Sequence, residues 1–434
     1  MASPLKVGVA GVGTVGAALI GQIATHREAL AARCGRAIEV VAVCARSKGK
    51  DRGVDLKKMK WFTDPVELAG YDGIDVFVEL MGGAGDPAKS AVEFALASGK
   101  SVVTANKAML AKHGVKMAQL AEKAGVSLNF EAAVGAAIPV IKTLREALAG
   151  NAINRIYGIL NGTCNYMLTR MEQEGLSYDA CLKEAQRLGY AEADPTFDVE
   201  GHDTAQKLAI LASLAFGTKP DQRAIYVEGI SSIAAADLTA ADELGYRVKL
   251  LGVAMRTPQG IEQRVHPTMV RKDSSIAQVM GVTNAVTIDA EGINPITLVG
   301  PGAGGAATAS AVLSDIADIA KGARSAPFGR PTAKLKDVKK APMQRHEGGY
   351  YIRLQARDKP GTAAAIATRL AEQEISLESI VQRHAKGEMT KNGSVPVIMI
   401  TYATSEDAVR KAIAAVSRDK VISGRPQVIR IEKN

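Results

Sequence analysis

A glycine-rich turn near the N-terminus constrains the fold more than any other feature of this sequence. Residues 4–10 have the apolar pattern of a buried strand, and Gly11-Val-Gly13-Thr-Val-Gly16 leads directly into an Ala/Leu/Ile-rich helix. In such a unit the first glycine makes the turn, the second admits a pyrophosphate and the third packs helix on strand. The alternative is a glycine turn without a ligand. The pattern predicts a dinucleotide at the helix N-terminus, held by Gly11, Gly13, Thr14, Val15 and Gly16.

The end of the second predicted strand, residues 38–44, bears on the choice of dinucleotide. Proteins selective for NAD place an acidic residue there, beside the adenosine ribose. This chain instead continues with Arg46 and Lys48. Two cations at that point suit a 2′-phosphate, which predicts that NADP(H) is preferred over NAD(H). The alternative is that both are solvated loop charges.

The order of predicted elements indicates more than one domain. Short apolar strands at residues 75–80 and 101–104, with a helix at about 87–98, continue the alternation of strand and helix through residue 130. This alternation predicts an α/β fold with a doubly wound parallel sheet. From residue 131 longer helices and amphipathic strands, as in residues 238–254 and 262–270, predict an α+β domain. A second glycine-rich turn at 300–305 leads into a helix that is predicted to return to the first domain.

Charge and periodicity change again near residue 330. Residues 321–434 carry 22 basic and 11 acidic groups, whereas the first 320 residues carry 32 and 34. Residues 323–349 lack clear periodicity and are predicted to form a linker. The βαββαβ order that follows is ferredoxin-like. Its predicted elements are strand 350–356, helix 362–373, strand 375–384, strand 395–401, helix 405–417 and strand 428–431.

Several classes of protein are disfavoured by composition. The basic charges of the C-terminal part alternate with acidic and apolar residues, with no Lys/Arg run longer than a pair, which argues against nucleic-acid binding. No apolar stretch approaches the ~20 residues of a membrane span, and no signal-type region precedes the first strand, which predicts a cytoplasmic protein. The cysteines are too widely spaced for a CxxC pair and are expected to be reduced. They are Cys34, Cys44, Cys164 and Cys181.

The densest cluster of ionisable residues precedes the apolar segment 208–216. Asp203 and Lys207 are four residues apart, so on a helix they share a face, and the carboxylate can orient the ammonium toward a substrate oxygen. One alternative is a capping box at residues 203–206 with an ordinary surface ion pair. Another is a divalent metal, although no ligand-spaced His accompanies the acids. The cluster comprises Glu192, Asp194, Asp198, Glu200, His202, Asp203 and Lys207.

Two further segments carry polar groups at predicted element ends. Lys107 follows the strand at 101–104, and ligands of open α/β sheets bind beyond the carboxyl ends of the strands. The alternative is an exposed lysine at a helix start. The turn Asn161-Gly-Thr163-Cys164 can present polar groups to a small substrate. Cys164 would be a nucleophile only with a basic partner, which the sequence does not reveal.

These motifs together resemble the homoserine dehydrogenase family. The run from Ala185 to Lys207 resembles the family's signature throughout its length, and the motifs follow the family's order over residues 1–322. The C-terminal part, with Asp358-Lys-Pro-Gly361, resembles an ACT domain, a module that commonly binds amino acids and pairs with copies of itself. The other matching motifs are Glu79-Leu-Met-Gly-Gly83, Thr104-Ala-Asn-Lys107, Asn161-Gly-Thr163 and Gly302-Ala-Gly-Gly-Ala-Ala-Thr308.

The resemblance implies interconversion of L-homoserine and L-aspartate 4-semialdehyde with NAD(P). It implies that Lys207 is the general acid/base, that Asp203 orients it or the substrate, and that Lys107 lies between nicotinamide and substrate. Glu192 is expected as a buried carboxylate pairing with the substrate's ammonium. Thr163, Tyr190 and Asp198 would complete the substrate pocket, and Gly302 would contact the cofactor. A structural Na⁺ or K⁺ is implied, held mainly by backbone oxygens of Glu131, Val134, Ala136 and Ile138.

The resemblance also implies regulation, while the changes in sequence pattern set the predicted domain limits. An ACT domain predicts feedback by an end product, with threonine the first candidate, and exposed strand edges predict a homo-oligomer, dimer or tetramer. Two alternatives are an aspartate-semialdehyde dehydrogenase, which requires an active cysteine, and an amino-acid sensor that binds nucleotide without turnover. The predicted domains are nucleotide-binding 1–130 with return segment 300–322, catalytic and dimerisation 131–299, linker 323–349 and ACT 350–434.

Overall fold

The computed structural model describes residues 2–343, 346–382 and 393–432. Parts of four predicted ranges lie outside these residues. They are the chain ends 1 and 433–434, residues 344 and 345 of the predicted linker, and residues 383 and 384 of a predicted strand. Within the described residues, no helix has the length and apolar character needed to cross a membrane.

The N-terminal domain is built on a six-stranded parallel sheet with the order β3-β2-β1-β4-β5-β6. This is the order of dinucleotide-binding doubly wound folds, so the predicted fold class is confirmed here. The strands are short and apolar because helices cover both faces. The strands are β1 (Leu5–Ala10), β2 (Ile38–Cys44), β3 (Lys60–Phe62), β4 (Val76–Glu79), β5 (Ser101–Thr104) and β6 (Leu128–Asn129); the helices are α1 (Thr14–Thr25), α2 (Arg27–Cys34), α3 (Pro65–Gly70), α4 (Ala88–Ala97) and α5 (Lys107–Ala124).

The central domain contains a mainly antiparallel sheet with the order β12-β11-β7-β9-β10. Helix α10 is buried along nearly its whole length because it packs on β7, β9 and β10 with one side and on α5 with another. This helix therefore joins the two domains. The elements are β7 (Ile153–Ile159), β8 (Tyr226–Val227), β9 (Tyr246–Thr257), β10 (Gly260–Arg271), β11 (Thr283–Ala290), β12 (Ile296–Pro301), α6 (Val140–Lys142), α7 (Gly162–Glu174), α8 (Tyr178–Arg187), α9 (Thr196–Val199), α10 (His202–Phe216), α11 (Ala235–Glu243) and α12 (Gly305–Ala320).

The C-terminal domain continues the central sheet. Its first and last strands pair antiparallel, and the last strand also pairs in parallel with β10, where Thr268 and Met269 face Arg430 and Ile431. The βαββαβ order confirms the predicted ferredoxin-like arrangement, with both helices packed on one side of the sheet. The elements are β13 (Glu347–Arg357), α13 (Thr362–Ala371), β14 (Leu377–Gln382), β15 (Ser394–Thr401), β16 (Thr404–Ser405), α14 (Glu406–Arg418) and β17 (Ile422–Ile431).

Two connecting segments pack against the N-terminal domain. Helix α12 lies against α1, and its apolar residues belong to the same core as those of β1. In the predicted linker, Phe328 is fully buried against Phe130, and the Thr332 hydroxyl donates to Glu122 at 2.6 Å. The described part of this segment is therefore packed on the protein, although its composition resembles that of a free linker.

Strand β10 departs from the amphipathic pattern that its sequence indicates. Its alternating polar residues, including Glu262, Arg264 and His266, are buried instead of facing solvent. The C-terminal domain covers this face and supplies the compensating charge, since Glu432 accepts a hydrogen bond from Arg264 at 3.0 Å. Burial with nearby arginines holds the pKa of His266 well below its usual value. A solvent-facing strand pattern is thus wrong here because a distant segment completes the sheet.

A second buried ion pair holds the C-terminal domain on helix α11. The Asp237 carboxylate is fully buried and accepts hydrogen bonds from Arg353 Nε at 2.6 Å and Nη2 at 2.9 Å. The Tyr351 hydroxyl donates to the same carboxylate at 3.0 Å. Strand β13 is therefore fixed to the central domain by the Asp237 carboxylate, both oxygens of which accept hydrogen bonds.

We expect Asp237→Ala to lower the free energy of unfolding by about 3 kcal/mol, because it leaves the Arg353 side chain, which is only 14% exposed, without its partner. The matched control is Asp242→Ala on the same helix, which removes an exposed pair with Lys272 and should cost at most ~0.5 kcal/mol. Urea unfolding measures both variants. Equal losses would show that the buried pair does not hold the two domains together.

Candidate active site

A cavity of about 550 Å³ opens between the N-terminal and central domains. It lies at the carboxyl end of β5 and beside the first turn of α10, where the two domains meet. All but one of the residues predicted for substrate and catalysis lie on its wall, namely Lys107, Thr163, Tyr190, Asp198, Asp203 and Lys207. The wall also includes Val134 and Ala136, predicted for the cation, and Gly302, predicted for the cofactor.

A buried carboxylate between two ammonium groups forms the charged centre of the cavity. Asp203 Oδ2 accepts a hydrogen bond from Lys207 Nζ at 2.7 Å, and Asp203 Oδ1 lies 3.2 Å from Lys107 Nζ. Lys207 also donates to the carbonyl of Leu160 at 2.7 Å. An ammonium has three donors, so Lys207 keeps one for the cavity.

The Asp203–Lys207 pair is buried, which excludes the alternative of a surface ion pair. Asp203 is 5% and Lys207 9% exposed, so they do not form an ordinary surface pair. Burial alone would raise the pKa of Asp203, but the charges of Lys207 and Lys107 and the hydrogen bonds from Lys207 and Asn161 lower it to about 2. Helix α10 begins after Gly201 without a side-chain cap, so the capping-box alternative is wrong.

A second carboxylate is joined to the first through an amide. Asn161 Nδ2 donates to Asp198 Oδ1 at 2.8 Å and to Asp203 Oδ2 at 3.0 Å. Burial and the nearby charge of Asp203 raise the pKa of Asp198. Asn161 also caps α7, where its Oδ1 accepts from the Cys164 amide at 2.8 Å. The amide thus fixes both carboxylates relative to this helix.

Lys107 is positioned by a chain of hydrogen bonds at the end of β5. The buried Glu79 carboxylate accepts a hydrogen bond from the Thr104 hydroxyl at 2.6 Å, and Thr104 Oγ1 accepts one from the Asn106 backbone amide at 3.0 Å. The Asn106 side chain in turn caps α5, because its Oδ1 accepts a hydrogen bond from the Met109 backbone amide at 3.1 Å. Lys107 is the first residue of that helix. Its ammonium pairs with Asp203, so it is not simply an exposed lysine at a helix start.

The loop between α8 and α9 forms the outer wall. The Thr163 hydroxyl donates to the Tyr190 carbonyl at 2.6 Å, which holds Tyr190 at the cavity. Glu192 is exposed and does not line the cavity, whereas the sequence analysis expected a buried carboxylate. Gln186 holds this part of the loop outward by donating to the Glu192 carbonyl at 3.1 Å. Asp194 accepts from the Thr196 amide and shapes the turn.

Cys164 has the properties of a packing residue. It is fully buried, its thiol donates to the Asp198 carbonyl at 3.3 Å, and burial together with nearby carboxylates raises its pKa well above the usual value. A nucleophilic cysteine needs an environment that stabilises the thiolate. The cavity, as lined by the described residues, therefore lacks the reactive cysteine that an aspartate-semialdehyde dehydrogenase requires.

The glycine turn has the shape that a dinucleotide requires. Gly11 has a left-handed φ of 98°, and a Cβ there would lie 2.6 Å from the Leu80 carbonyl oxygen. A Cβ on Gly16 would overlap the Gly11 carbonyl oxygen, so this glycine allows α1 to pack on the turn. A Cβ on Gly13 would meet nothing within 4 Å. The turn thus leaves open space at the N-terminus of α1, beside Thr14 and Val15, which fits a pyrophosphate.

The adenosine end of this site contains a cation that the sequence analysis missed. Arg46 and Lys48 are exposed and have no ion-pair partner among the described residues. Arg52 instead holds their loop to the glycine turn, because its Nε donates to the Val12 carbonyl at 3.0 Å and its guanidinium stacks 5.2 Å from the Trp61 ring. Its place in the sequence, well beyond the end of β2, gives no sign of this contact.

The segment predicted to hold a monovalent cation is folded back on itself. Val134 and Ala136 line the cavity, Ala136 has a left-handed φ of 47°, and the Ile138 amide donates to the Gly135 carbonyl at 2.9 Å. The Glu131 carboxylate accepts from two amides at the start of α6, so its side chain is already used. Among the described residues, no group of three or more His, Cys, Asp or Glu side chains is placed to hold a metal ion.

The chain is similar to known proteins along nearly its whole length. Residues 139–317 match the family model described as homoserine dehydrogenase, residues 11–131 match its NAD-binding domain and residues 350–418 match the ACT domain. The chain is 42% identical over 435 residues to a homoserine dehydrogenase of Neisseria gonorrhoeae and 44% identical over 437 residues to one of Pseudomonas aeruginosa. Each alignment covers 99% of both chains.

Solved structures of homoserine dehydrogenases also have a similar fold. The crystal structure of a homoserine dehydrogenase from Thiobacillus denitrificans superposes with a TM-score of 0.92 at 40% identity, covering 99% of this chain and 98% of that one. A hyperthermophilic archaeal homoserine dehydrogenase in complex with NADPH superposes with a TM-score of 0.62 at 28% identity. That match covers 77% of this chain and 99% of the archaeal one.

The glycine turn yields a matched pair of variants. We expect Gly16→Ala to lower the free energy of unfolding by about 1–3 kcal/mol, because its methyl group meets backbone. Gly13→Ala should change that free energy by at most ~0.5 kcal/mol, yet weaken NADPH binding at least ~10-fold, because its methyl group occupies the open space. Thermal unfolding and NADPH fluorescence titration measure the two effects. Unchanged NADPH affinity in Gly13→Ala would contradict this site.

Proposed function

Because this chain belongs to the homoserine dehydrogenase family, we propose that it interconverts L-homoserine and L-aspartate 4-semialdehyde by hydride transfer with NADP(H) or NAD(H). The observation that carries the proposal is the buried Asp203 carboxylate with Lys207 and Lys107 at one cavity. An amino-acid sensor that binds nucleotide without turnover has no need of a proton donor there. The reaction would be a step toward threonine, methionine and isoleucine.

Lys207 is the general acid/base in this proposal. A nicotinamide cofactor, when bound, would supply or accept the hydride at the terminal carbon of the substrate. Lys207 Nζ, held by Asp203 and the Leu160 carbonyl, directs its remaining donor at the substrate oxygen and transfers the proton. Asp203 stays ionised at neutral pH, since its pKa is lowered to about 2, and keeps both ammonium groups in place. Lys107, which lines the same cavity, would lie between substrate and nicotinamide and could share the proton role.

The outer wall of the cavity is the proposed substrate pocket. Thr163, Tyr190 and Asp198 lie on that wall and offer hydroxyl and carboxylate groups to a small polar substrate. Glu192 belongs to the same loop as Tyr190, so inward movement of this loop would bring its carboxylate toward the substrate's ammonium. Gly302 faces the cavity from the turn before α12 and is the proposed contact with the cofactor.

The preference for NADP(H) over NAD(H) rests on the loop after β2. Arg46 and Lys48 are exposed there, and Arg52 fixes their loop beside the glycine turn. The archaeal relative, which was solved with NADPH, gives further support. The cations would pair with the 2′-phosphate of the adenosine ribose.

Regulation, assembly and ion binding complete the proposal. An amino-acid effector, threonine first, would bind at the C-terminal domain, where Gly361 precedes α13 in an open, left-handed turn. Strands β12 and β14 are the two edge strands of the described sheet. Each exposes an apolar side chain, Val299 in β12 and Ile380 in β14, which favours a homo-oligomer, dimer or tetramer.

A structural Na⁺ or K⁺ would be held by backbone oxygens of Glu131, Val134, Ala136 and Ile138. The proposed domain limits follow those expected from the sequence.

Substitution of Lys207 tests the catalytic proposal. We expect Lys207→Met to lower kcat about 10²–10⁴-fold with NADPH affinity nearly unchanged, because only the proton-transfer group is lost. Lys207→Arg keeps the charge beside Asp203 but cannot give up a proton, so it should fold and show a similar loss. Steady-state oxidation of NADPH with aspartate semialdehyde measures both variants.

The control is Lys116→Met, which removes an exposed lysine of α5 and should leave kcat unchanged. A larger loss in Lys107→Met than in Lys207→Met would transfer the proton role to Lys107. Wild-type protein that binds NADPH and shows no turnover would favour the sensor.

The cofactor preference has its own test. We expect the double variant Arg46→Ser with Lys48→Ser to raise the KM for NADPH about 10-fold or more and to leave the KM for NADH nearly unchanged, because only NADPH carries the 2′-phosphate. Lys58→Ser, an exposed lysine beyond this loop, is the control. Equal KM values for both cofactors in the wild type would refute the preference.

A further inference from the structure

A second cavity, of about 560 Å³, lies between the central and C-terminal domains and has no part in the proposed reaction. One wall, from the central domain, consists of Glu200, Pro267 and parts of residues 226–232. The other wall consists of residues of α14 and β17. Neither the proposed catalytic lysines nor Gly361 line this interdomain cleft.

The buried side of the interdomain cleft carries excess negative charge. Arg430 is 2% exposed, and its guanidinium donates to Glu228 Oε2 and Glu406 Oε1 at 2.6 Å each. One cation between two carboxylates leaves one negative charge uncompensated. The half-buried Glu200 adds a second, and its carboxylate has no hydrogen-bond or ion-pair partner among the described residues.

The mouth of the interdomain cleft carries the opposite charge. Arg410 and Arg425 line it, both are exposed, and neither has an ion-pair partner within the described part of the chain. Apolar side chains lie on the same wall, among them Val409, Ile413 and Val428. An anion alone would face the excess acid, and a cation alone would face the arginines. The lining therefore fits a small molecule with one charge of each sign and an apolar group.

We propose that the interdomain cleft binds a zwitterionic α-amino acid with a short aliphatic side chain. Its carboxylate pairs with Arg410 and Arg425, and its ammonium pairs with Glu200 and the acidic side of the Arg430 cluster. The side chain packs on the apolar surface of α14. The volume is in the range of small-molecule sites.

The interdomain cleft is mechanically connected to the charged centre of the first cavity. The Ile230 amide donates to the Val199 carbonyl at 2.8 Å, and a Cβ on Gly229 would overlap the same oxygen. The chain then passes through Gly201 into α10, which carries Asp203. An occupant that shifts residues 226–232 therefore also shifts the start of α10. Occupancy itself is independent of the proposed function; only its effect on turnover rests on that function.

Calorimetric titration of the full chain tests the proposal directly. The probes are L-threonine, L-valine and L-isoleucine, with isobutylamine and isovalerate as valine analogues that each lack one charge. We expect valine to be among the amino acids that bind, and each analogue to bind at least about tenfold more weakly than valine. Arg425→Gln and Glu200→Gln should weaken the bound amino acid to the same extent. Arg418→Gln, an exposed arginine of α14 outside the cleft, should bind as the wild type does.

The outcomes separate this proposal from the proposed function. No binding of any of the three amino acids would overturn it. Equal affinity in wild type, Arg425→Gln and Glu200→Gln would also overturn it, since the ligand would then bind elsewhere, as at the Gly361 turn. The two proposals can also fail separately. If the two variants lose affinity as expected but the wild-type protein shows no turnover, the cleft is supported and the proposed function is refuted. Arg410→Gln replaces Arg425→Gln if thermal unfolding shows that the latter is misfolded.

Discussion

The buried carboxylate of Asp203 is the interaction on which the rest of the site depends. Burying a charge is costly unless every lone pair is satisfied, and here two ammonium groups and an amide satisfy it. Lys207 belongs to the same helix, but Lys107 begins α5 in the N-terminal domain. The charged centre is therefore complete only when the two domains are docked. Assembly of the domain interface and assembly of the site are one event.

Features governed by local spacing could be predicted from the sequence. The glycine turn, the pairing of Asp203 with Lys207 and the βαββαβ order all follow from periodicities that covalent geometry sets over a few residues. The helix that follows the glycine turn, α1, is predictable in the same way. Such features need no knowledge of what packs against them. The predicted fold class was correct for this reason.

Features that depend on distant contacts could not be predicted. The buried charges of β10 have the alternation of a solvent-facing strand, and only pairing with Glu432 makes their burial tolerable. Arg52 acts through Val12, 40 residues earlier in the chain. Glu192 was expected to be buried from the family resemblance alone, yet it is exposed in a loop where Gln186 donates to its backbone carbonyl. For β10 and for Arg52, the partner lies outside the window that a sequence pattern covers.

The parallel pairing of β10 with β17 limits how freely the C-terminal domain can be exchanged between proteins. Removing residues 347–432 would open the edge of a long central strand and leave Arg264 without Glu432. An open apolar edge invites intermolecular strand pairing and aggregation. The C-terminal domain is thus part of the fold of its neighbour. Evolutionary gain or loss of this domain would have required compensating changes along β10, so it does not behave as a freely shuffled unit.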